Sequence, residues 1–318
     1  MSNFDELANA IQTLNISEED KFRIQENLLR LKGKQINLMI TGATGSGKSS
    51  TINALFGEEV AKVGSTPDPE TMTIQKYIMD NLVIWDTPGL GDGYEEDQVH
   101  AKNIVKKLRE KDINGEYLID LVLVVLDGGS RDLGTSRELI NNVIIPNLGE
   151  DKENRILVAI NQCDMAMKGR NWNYETNEPE PKLVEFLDQK VSSIQERIYK
   201  DTGVDITPIY YCAGYKEDES QVAPYNLSKL LHFLVKYTPE EKRFGYIDRI
   251  NEDPTVWQHN DGGMDYVEET ERNFWSTAKN VVLKGTKIVN AIAPLVALIP
   301  GPIGRIGSKV VNFLKKIL

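Results

Sequence analysis

Residues 42–49 have the sequence GATGSGKS, and this stretch decides the fold. It matches the pattern G-x-x-x-x-G-K-[ST] and lies between an apolar run, INLMIT at 36–41, and a helix-forming run, SSTINALF at 49–56. Glycines let successive backbone N–H groups converge on phosphates, and the following helix adds the positive end of its dipole. The stretch therefore predicts a phosphate-binding loop between a strand and a helix.

The loop supplies candidate contacts to the phosphates and the metal of a nucleotide. We expect Lys48 to bridge the β- and γ-phosphates and the Ser49 hydroxyl to ligate Mg²⁺. The other phosphate-binding candidates lie on either side of Lys48 and are Gly42, Gly45, Ser46, Gly47 and Ser50.

Outward from the loop, short apolar runs alternate with amphipathic stretches. Six runs predict strands, at 36–40, 73–79, 82–85, 121–126, 156–160 and 206–211, and five stretches predict helices, at 48–56, 97–110, 135–144, 181–201 and 226–236. Asp80-Asn81 indicates a hairpin between the second and third runs. We predict an α/β fold with a mostly parallel six-stranded sheet, helices on both faces, and helical extensions at the N- and C-termini.

A second motif, Asp86-Thr87-Pro88-Gly89, follows the apolar run at 82–85. A carboxylate at a strand end can hold Mg²⁺ through water, and we expect Asp86 to do so. The backbone N–H of Gly89 is expected to sense a γ-phosphate.

Two further motifs point to the base. Asn161-Gln162-Cys163-Asp164 follows the fifth run, and the Asp164 carboxylate can accept from N1–H and N2–H₂ of guanine, a donor pair that adenine lacks. Cys212-Ala213-Gly214 follows the last run, and a backbone N–H there, for which we favour Ala213, would meet guanine O6. The candidate base-binding residues are therefore Asn161, Asp164, Cys212 and Ala213. All four motifs should meet at one edge of the sheet, which predicts GTP and GDP as ligands.

These segments resemble the translation-factor-related P-loop GTPases, and the motifs span about 36–236. Within that class the chain is similar to the Era-like bacterial group and its YfjP-like branch. The resemblance is carried by NALFGEEVAKVG, WDTPGLGDG, VVLDGGSRDLGTS, NQCDMAMKGRNW and PYNLSKLL. It implies a G domain that binds GTP, hydrolyses it slowly with Mg²⁺ as cofactor, and acts as a two-state switch.

In the family that the chain resembles, the first nucleotide-sensitive segment, called the first switch, carries a threonine that reaches Mg²⁺ and the γ-phosphate. Three candidates occur, Thr66, Thr71 and Thr73, and Thr73 is expected to begin a strand. The family resemblance favours Thr71, with Thr66 as the alternative. Thr71 therefore joins Lys48 and Gly89 as a candidate catalytic residue, and joins Ser49 and Asp86 as a candidate metal ligand.

The sequence departs from the family pattern at four positions. Gln162 replaces the usual Lys whose stem covers the purine, and Cys212 replaces a Ser whose hydroxyl often braces the base-binding Asp. Leu90 stands where many GTPases have a water-orienting Gln. Gly45 stands where some Era-like relatives carry a potassium-binding Asn. The catalytic group is therefore expected from the switch regions or from a second molecule, or turnover is slow. Asp92, Asp97 and His100 are candidates, although a solvated acidic loop and a helix start are the favoured interpretation. Arg131 is a candidate finger, although a surface ion pair with Asp132 or Glu138 is favoured.

Composition excludes several classes of protein. The 318 residues carry 37 Lys or Arg and 48 Asp or Glu, a net charge of −11, which disfavours bulk nucleic-acid binding. Two cysteines and three histidines exclude a disulfide scaffold and disfavour a His-rich metal site. The acidic start of the chain lacks the pattern of a secretory signal, so we expect a cytoplasmic location.

The charge is unevenly distributed along the chain. Residues 276–318 contain seven Lys or Arg and no Asp or Glu, so this tail is +7 and the remainder is −18. We predict a helical extension at 1–34, a G domain at 35–238, a linker at 239–265 and a basic amphipathic helical tail at 266–318. The tail has three interpretations: a packed lid, an interfacial segment on anionic lipid at the inner face of the membrane, or a surface for a partner.

Three functional hypotheses follow. The first is an Mg²⁺-dependent GTP-hydrolysing switch. The second is a protein whose self-assembly or peripheral membrane association GTP controls, including a homodimer through the G domain. The third is a ribosome-associated assembly GTPase, with rRNA contacted through the tail; it depends on analogy of fold.

Overall fold

The computed structural model describes residues 11–12, 16–57, 74–91, 93–130, 133–217, 220–246, 249–277, 280 and 284. Eight α-helices are named here in chain order: α1 Glu18–Lys32, α2 Lys48–Phe56, α3 Tyr94–Arg109, α4 Gly134–Glu138, α5 Ala166–Gly169, α6 Pro181–Thr202, α7 Leu227–Tyr237 and α8 Tyr266–Thr277. The strands are β1 Ile36–Gly42, β2 Gln75–Met79, β3 Leu82–Asp86, β4 Leu121–Asp127, β5 Ile156–Asn161, β6 Trp172–Asn173, β7 Glu178–Pro179, β8 Ile209–Tyr210, β9 Tyr215–Glu217 and β10 Ser220–Val222.

Six strands form the central sheet in the order β2-β3-β1-β4-β5-β8. All neighbouring strands run parallel except β2, which is antiparallel to β3 at one edge. Strands β1 and β5 are buried along their whole length, as expected for parallel strands covered on both faces. The predicted mostly parallel six-stranded sheet is confirmed.

Helices cover both faces of the sheet and make two hydrophobic cores. One core contains residues of α2, α7 and α8, including Ile52, Leu234 and Phe274. The other contains residues of α3 and α6, including Ile104 and Leu187. Successive side chains of a strand point to opposite faces, so each central strand contributes to both cores.

The hairpin between β2 and β3 is confirmed, with Met79 opposite Leu82 and Asp80 at φ +47°. The last strand is shorter than the predicted run at 206–211, because Pro208 precedes Ile209 and has no N–H to donate to a ladder. The helix predicted at 135–144 changes after Glu138 into a π-helix at Leu139–Ile144. This wider turn leads to Pro146, which cannot donate to the carbonyl four residues earlier.

Segments outside the predicted G domain also pack. Ser17 caps α1, its hydroxyl accepting from the Asp20 N–H at 3.1 Å, and α1 buries Ile24 and Leu28. Residues 239–265 contain 3₁₀ turns at Glu240–Tyr246 and Pro254–Trp257 that contribute to the first core. The domain boundaries remain predictions, and 285–318 lie outside the described residues. Within the described part of the chain, no helix is long and apolar enough to cross a membrane.

Candidate nucleotide-binding site

The phosphate loop connects β1, which ends at Gly42, to α2, which begins at Lys48. Gly45 and Gly47 have φ values of +78° and +85°, which glycine adopts readily and which turn the chain tightly. A Cβ atom at Gly47 would lie 2.2 Å from Asn161 Nδ2. Glycine is therefore required at position 47 by backbone conformation and by space.

The phosphate loop contacts the Asp86–Gly89 motif directly. The Leu90 N–H donates to the Gly42 carbonyl at 3.3 Å, and the Thr44 N–H donates to the Leu90 carbonyl at 3.1 Å. A Cβ atom at Gly89 would lie 2.1 Å from Thr44 Oγ1. The segment that follows β3 is therefore held against the phosphate loop. Gly89 lies beside Thr44 of this loop.

Lys48 lies among the oxygen atoms of the loop. Its Nζ donates to the carbonyls of Ala43 at 3.1 Å and Gly42 at 3.3 Å. Burial raises the pKa of Asp86 to about 6, and the positive charge of Lys48 acts in the opposite direction. A buried carboxylate is destabilised in its charged form until a cation approaches it.

Three buried polar atoms at this site make no hydrogen bond within the described part of the chain: Ser46 Oγ, Asp86 Oδ1 and Asp164 Oδ1. Each belongs to a different motif, which the sequence predicts to bind phosphate, metal and base respectively. Because a buried polar atom without a partner is costly, each is chemically suited to a ligand.

The side chains present fit Mg²⁺. Asp86 ends β3, Ser49 lies in the first turn of α2, and Mg²⁺ at nucleotide sites takes one or two protein oxygens plus phosphates and water. The described residues contain no group of three or more His, Cys, Asp or Glu placed to enclose a metal ion. The candidate switch residues Thr66, Thr71 and Thr73 lie outside the described residues.

Asn161 joins the base motif to the phosphate loop. Its Nδ2 donates to the Ser46 carbonyl at 3.0 Å, and its Oδ1 accepts from the Ala213 N–H at 3.0 Å. The Ala213 N–H, expected to contact guanine O6, therefore has Asn161 as its partner here. Gln162 Nε2 donates to the Gly45 carbonyl at 2.9 Å, so the residue in the place of the usual Lys also holds the loop.

Asp164 is buried beside Cys212. Burial, followed by the charge of Asp164 and its hydrogen bond with the thiol, raises the pKa of Cys212. The Cys212 thiol is therefore a hydrogen-bond partner of the Asp164 carboxyl group.

The candidate catalytic assistants lie in different environments. Leu90 is 5% exposed and belongs to the core that contains Met39 and Ile104, so its side chain cannot orient water. Asp97 accepts from the Gly91 N–H at 2.9 Å, and His100 is buried in α3. Asp92 and Arg131 lie outside the described residues.

Sequence reasoning missed two supports of the site. Lys190 Nζ donates to the carbonyls of Gly128 at 2.7 Å and Ser130 at 2.8 Å, which fixes the loop after β4. The Tyr211 hydroxyl shares a 2.6 Å hydrogen bond with Thr51 Oγ1 in α2. These long-range pairs leave no local pattern in the sequence.

Comparison with known proteins identifies the type of domain. Residues 37–162 match the family model described as 50S ribosome-binding GTPase. The chain is 30% identical to Dynamin-like protein 1 of Campylobacter jejuni over 114 residues, 34% of this chain and 16% of that protein. It is 31% identical to the uncharacterized protein YfjP of Escherichia coli over 150 residues, 45% of this chain and 47% of YfjP. The matches thus span less than half of either relative.

Solved structures with similar architecture include Toc33 from Arabidopsis thaliana, with a TM-score of 0.43 and 19% identity over 67% of this chain and 87% of that one. Era of Aquifex aeolicus bound to GDP·AlF₄⁻ has a TM-score of 0.39 and 18% identity, covering 65% of this chain and 57% of that one.

The family match, the phosphate loop and the strand order show a P-loop GTPase G domain with helical extensions. The similarity to YfjP is confirmed, and the place within the Era-like branch remains a prediction.

Proposed function

We propose that this protein binds GTP and GDP with Mg²⁺, hydrolyses GTP slowly, and works as a two-state switch. The observation that carries the proposal is the set of buried, unpartnered oxygens of Ser46, Asp86 and Asp164. They lie in the three motifs that the sequence predicts to recognise phosphate, metal and base, so one guanine nucleotide with its metal would satisfy all three.

The residues divide the work of binding the phosphates. The glycine-rich loop and the N-terminus of α2 direct N–H groups at the phosphates, while Lys48 exchanges carbonyl partners for phosphate oxygens. Ser49 and Asp86 would hold Mg²⁺, with Thr71 as the proposed switch ligand. The bound metal would neutralise the charge that develops on the phosphates.

The switch signal would begin at Gly89. Its neighbour Leu90 is hydrogen-bonded to the phosphate loop, and α3 follows at Tyr94. A γ-phosphate that attracts the Gly89 N–H would therefore move this segment and α3. Loss of that phosphate on hydrolysis would let them return.

The test is phosphate release by the full chain with GTP, in Mg²⁺ and in EDTA. We expect slow release that requires Mg²⁺, is abolished by Lys48→Met, and is unchanged in the control Lys34→Met, an exposed lysine before β1. Release that is absent in Mg²⁺, or that is equal in EDTA, would contradict the proposal.

Leu90 favours a second candidate function. Leu90 is buried at the position where many GTPases carry the residue that orients the attacking water. A second molecule or a membrane surface would then complete the catalytic site. In that case GTP would control assembly or peripheral membrane association. The +7 segment at 276–318 is the proposed contact with anionic lipid. The measurement is the specific rate against protein concentration, with and without anionic liposomes. A flat rate supports a switch that awaits a partner, whereas a rising rate supports assembly.

The description of the matching family favours a third candidate, a ribosome-associated GTPase. The basic tail could contact rRNA, although the −18 remainder would be repelled by it. Co-sedimentation of the protein with 50S subunits, in GTP and in GDP, tests this role. A protein that does not pellet with the subunits in either nucleotide would exclude it.

A further inference from the structure

Two short hairpins flank the base-reading motifs, and together they are called the collar here. The first contains β6 and β7, residues 172–179, and follows Asp164 in the chain. The second contains β9, Tyr215–Glu217, and β10, Ser220–Val222, and begins immediately after Gly214. Each hairpin therefore follows one of the two motifs proposed to read guanine, the first after the short helical turns at 163–169 and the second directly.

The collar is attached to the strand ends that it flanks. Asn177 Nδ2 in the first hairpin donates to the carbonyls of Ala223 at 3.1 Å and Pro224 at 3.2 Å, just after the second hairpin. The rings of Trp172 and Tyr225 pack edge to face, with centroids 5.3 Å apart. Tyr225 also exchanges two 2.9 Å backbone hydrogen bonds with Cys212. These contacts fix both hairpins relative to the base site.

Each hairpin presents an exposed aromatic ring. Tyr174 is 58% exposed and Tyr215 is 49% exposed. Tyr215 directly follows Gly214 at the start of the second hairpin. Tyr174 lies in the first hairpin, which Asn177 and Trp172 attach to the segment that pairs with Cys212. Both exposed rings therefore belong to hairpins that are held beside the base motifs.

In the described part of the chain, Gln162 does not supply the cover over the purine that the family pattern provides. The usual Lys lays its stem over the base, but Gln162 is shorter and its amide is held on the Gly45 carbonyl at 2.9 Å. Aromatic rings can supply this cover, because every purine has a π-face on which they stack.

We propose that Tyr174 and Tyr215 close over the purine ring of the bound nucleotide and determine its affinity, while Asp164 determines the choice of guanine. This inference rests on the proposed function, because it requires a guanine nucleotide at the site. Stacking recognises the ring face and not the edge, so it predicts a loss of affinity that is equal for guanine and hypoxanthine.

The test is calorimetric binding of GDP and IDP, in Mg²⁺, to the full chain and four variants. We expect Tyr174→Ala and Tyr215→Ala each to weaken GDP binding about tenfold, with the ratio of GDP to IDP affinity unchanged. Tyr174→Phe should retain the wild-type affinity because it keeps the ring. Tyr199→Ala is the matched control, since Tyr199 is also 58% exposed but lies near the end of α6.

Three results would overturn the inference. The first is wild-type GDP affinity in both alanine variants, and the second is an equal loss in Tyr174→Phe and Tyr174→Ala. A changed ratio of GDP to IDP affinity would assign the tyrosines to edge recognition and also contradict it. Failure of the wild-type chain to bind GDP would defeat the proposed function itself, so the two failures are distinguishable.

Discussion

A single amide, that of Asn161, connects the phosphate loop to the segment after β8. The side chain is 2% exposed, and it satisfies the Ser46 carbonyl and the Ala213 N–H together. Buried backbone groups that lose their only side-chain partner cost roughly 1–3 kcal/mol. The site therefore depends on Asn161 for its shape, independently of any contact that Asn161 makes with a base.

Asn161→Ala should lower the free energy of unfolding by about 1–3 kcal/mol and weaken GDP binding. Urea denaturation and calorimetry measure the two effects. The control is Asn114→Ala in an exposed turn, which should change stability by less than about 0.5 kcal/mol. An Asn161→Ala protein as stable as the control would show that these hydrogen bonds do not hold the site together.

The variant Leu90→Gln tests whether position 90 only lacks a water-orienting group or is occupied by a side chain that the core requires. Because Leu90 lies in the core, glutamine there would bury an amide and destabilise the fold by about 1–3 kcal/mol without accelerating hydrolysis. Leu90→Met should be tolerated. Single-turnover GTP hydrolysis and thermal denaturation provide the measurements, and a large gain in rate for Leu90→Gln would refute this view of the position.

At this scale the sequence was informative wherever chemistry requires a fixed spacing. The motifs around Lys48, Asp86 and Asp164 could be proposed as a candidate site because a phosphate loop and a base motif allow few residue types. The partners of Gln162 and Cys212 could not be predicted, since each contact joins residues distant in the chain. The exposure of Tyr174 and Tyr215 likewise depends on how the hairpins pack.

Among the elements, α6 supports the base site from outside. Lys190 holds the loop after β4, and within that loop the Gly128 N–H donates to the Asn161 carbonyl at 2.7 Å. Burial lowers the pKa of Lys190, and the charge of Asp127 acts in the opposite direction. The Lys190 ammonium group thereby links α6, through the loop after β4, to Asn161 in the base motif.

Lys190→Met should weaken GDP binding severalfold, because three carbonyls lose their donor and the loop behind Asn161 is released. Lys182→Met, on the exposed side of the same helix, is the control and should bind as the wild type does. Calorimetry compares the two. Equal affinities would show that the loop after β4 does not need this anchor.

The contact between α7 and α8 should depend on pH through His232. Its ring lies 6.1 Å from that of Tyr266, and its Nδ1 has no partner among the described residues. Burial and Lys236 lower the pKa of His232, while Glu269 acts in the opposite direction. The unfolded chain therefore binds a proton more readily, so this residue's contribution to stability falls as pH drops below about 6.5.

Urea denaturation at pH 7.5 and pH 5.5 measures this effect. We expect His232→Gln to lose less stability between the two pH values than the wild type, and His259→Gln to behave as the wild type. An identical loss in His232→Gln and wild type would assign the acid sensitivity to other groups.

Long periodic elements were predicted accurately and short ones were not. Helix α6 and strands β1, β4 and β5 have continuous apolar patterns that a sequence reveals. The collar hairpins have paired strands of only two or three residues, stabilised by contacts such as Trp172 with Tyr225. No period can be recognised in strands so short.

For the molecule as a whole, the parallel sheet explains how the site is assembled. Ser46 and Ala213, far apart in the chain, are joined through Asn161 because β1, β5 and β8 end at the same edge of the sheet. The charge is divided between a −18 body and a +7 tail, and residues 285–318 of that tail lie beyond the described part of the chain. The nucleotide site can be tested independently of the role of the tail.

The most direct test of the central claim is equilibrium binding of GDP and ADP to the full chain in Mg²⁺. Asp164 should accept two hydrogen bonds from guanine that adenine cannot donate, so we expect saturable GDP binding at least about a hundredfold tighter than ADP binding. Asp164→Ala should remove that preference. Equal affinities for GDP and ADP in the wild-type protein, or no binding of GDP, would contradict the account.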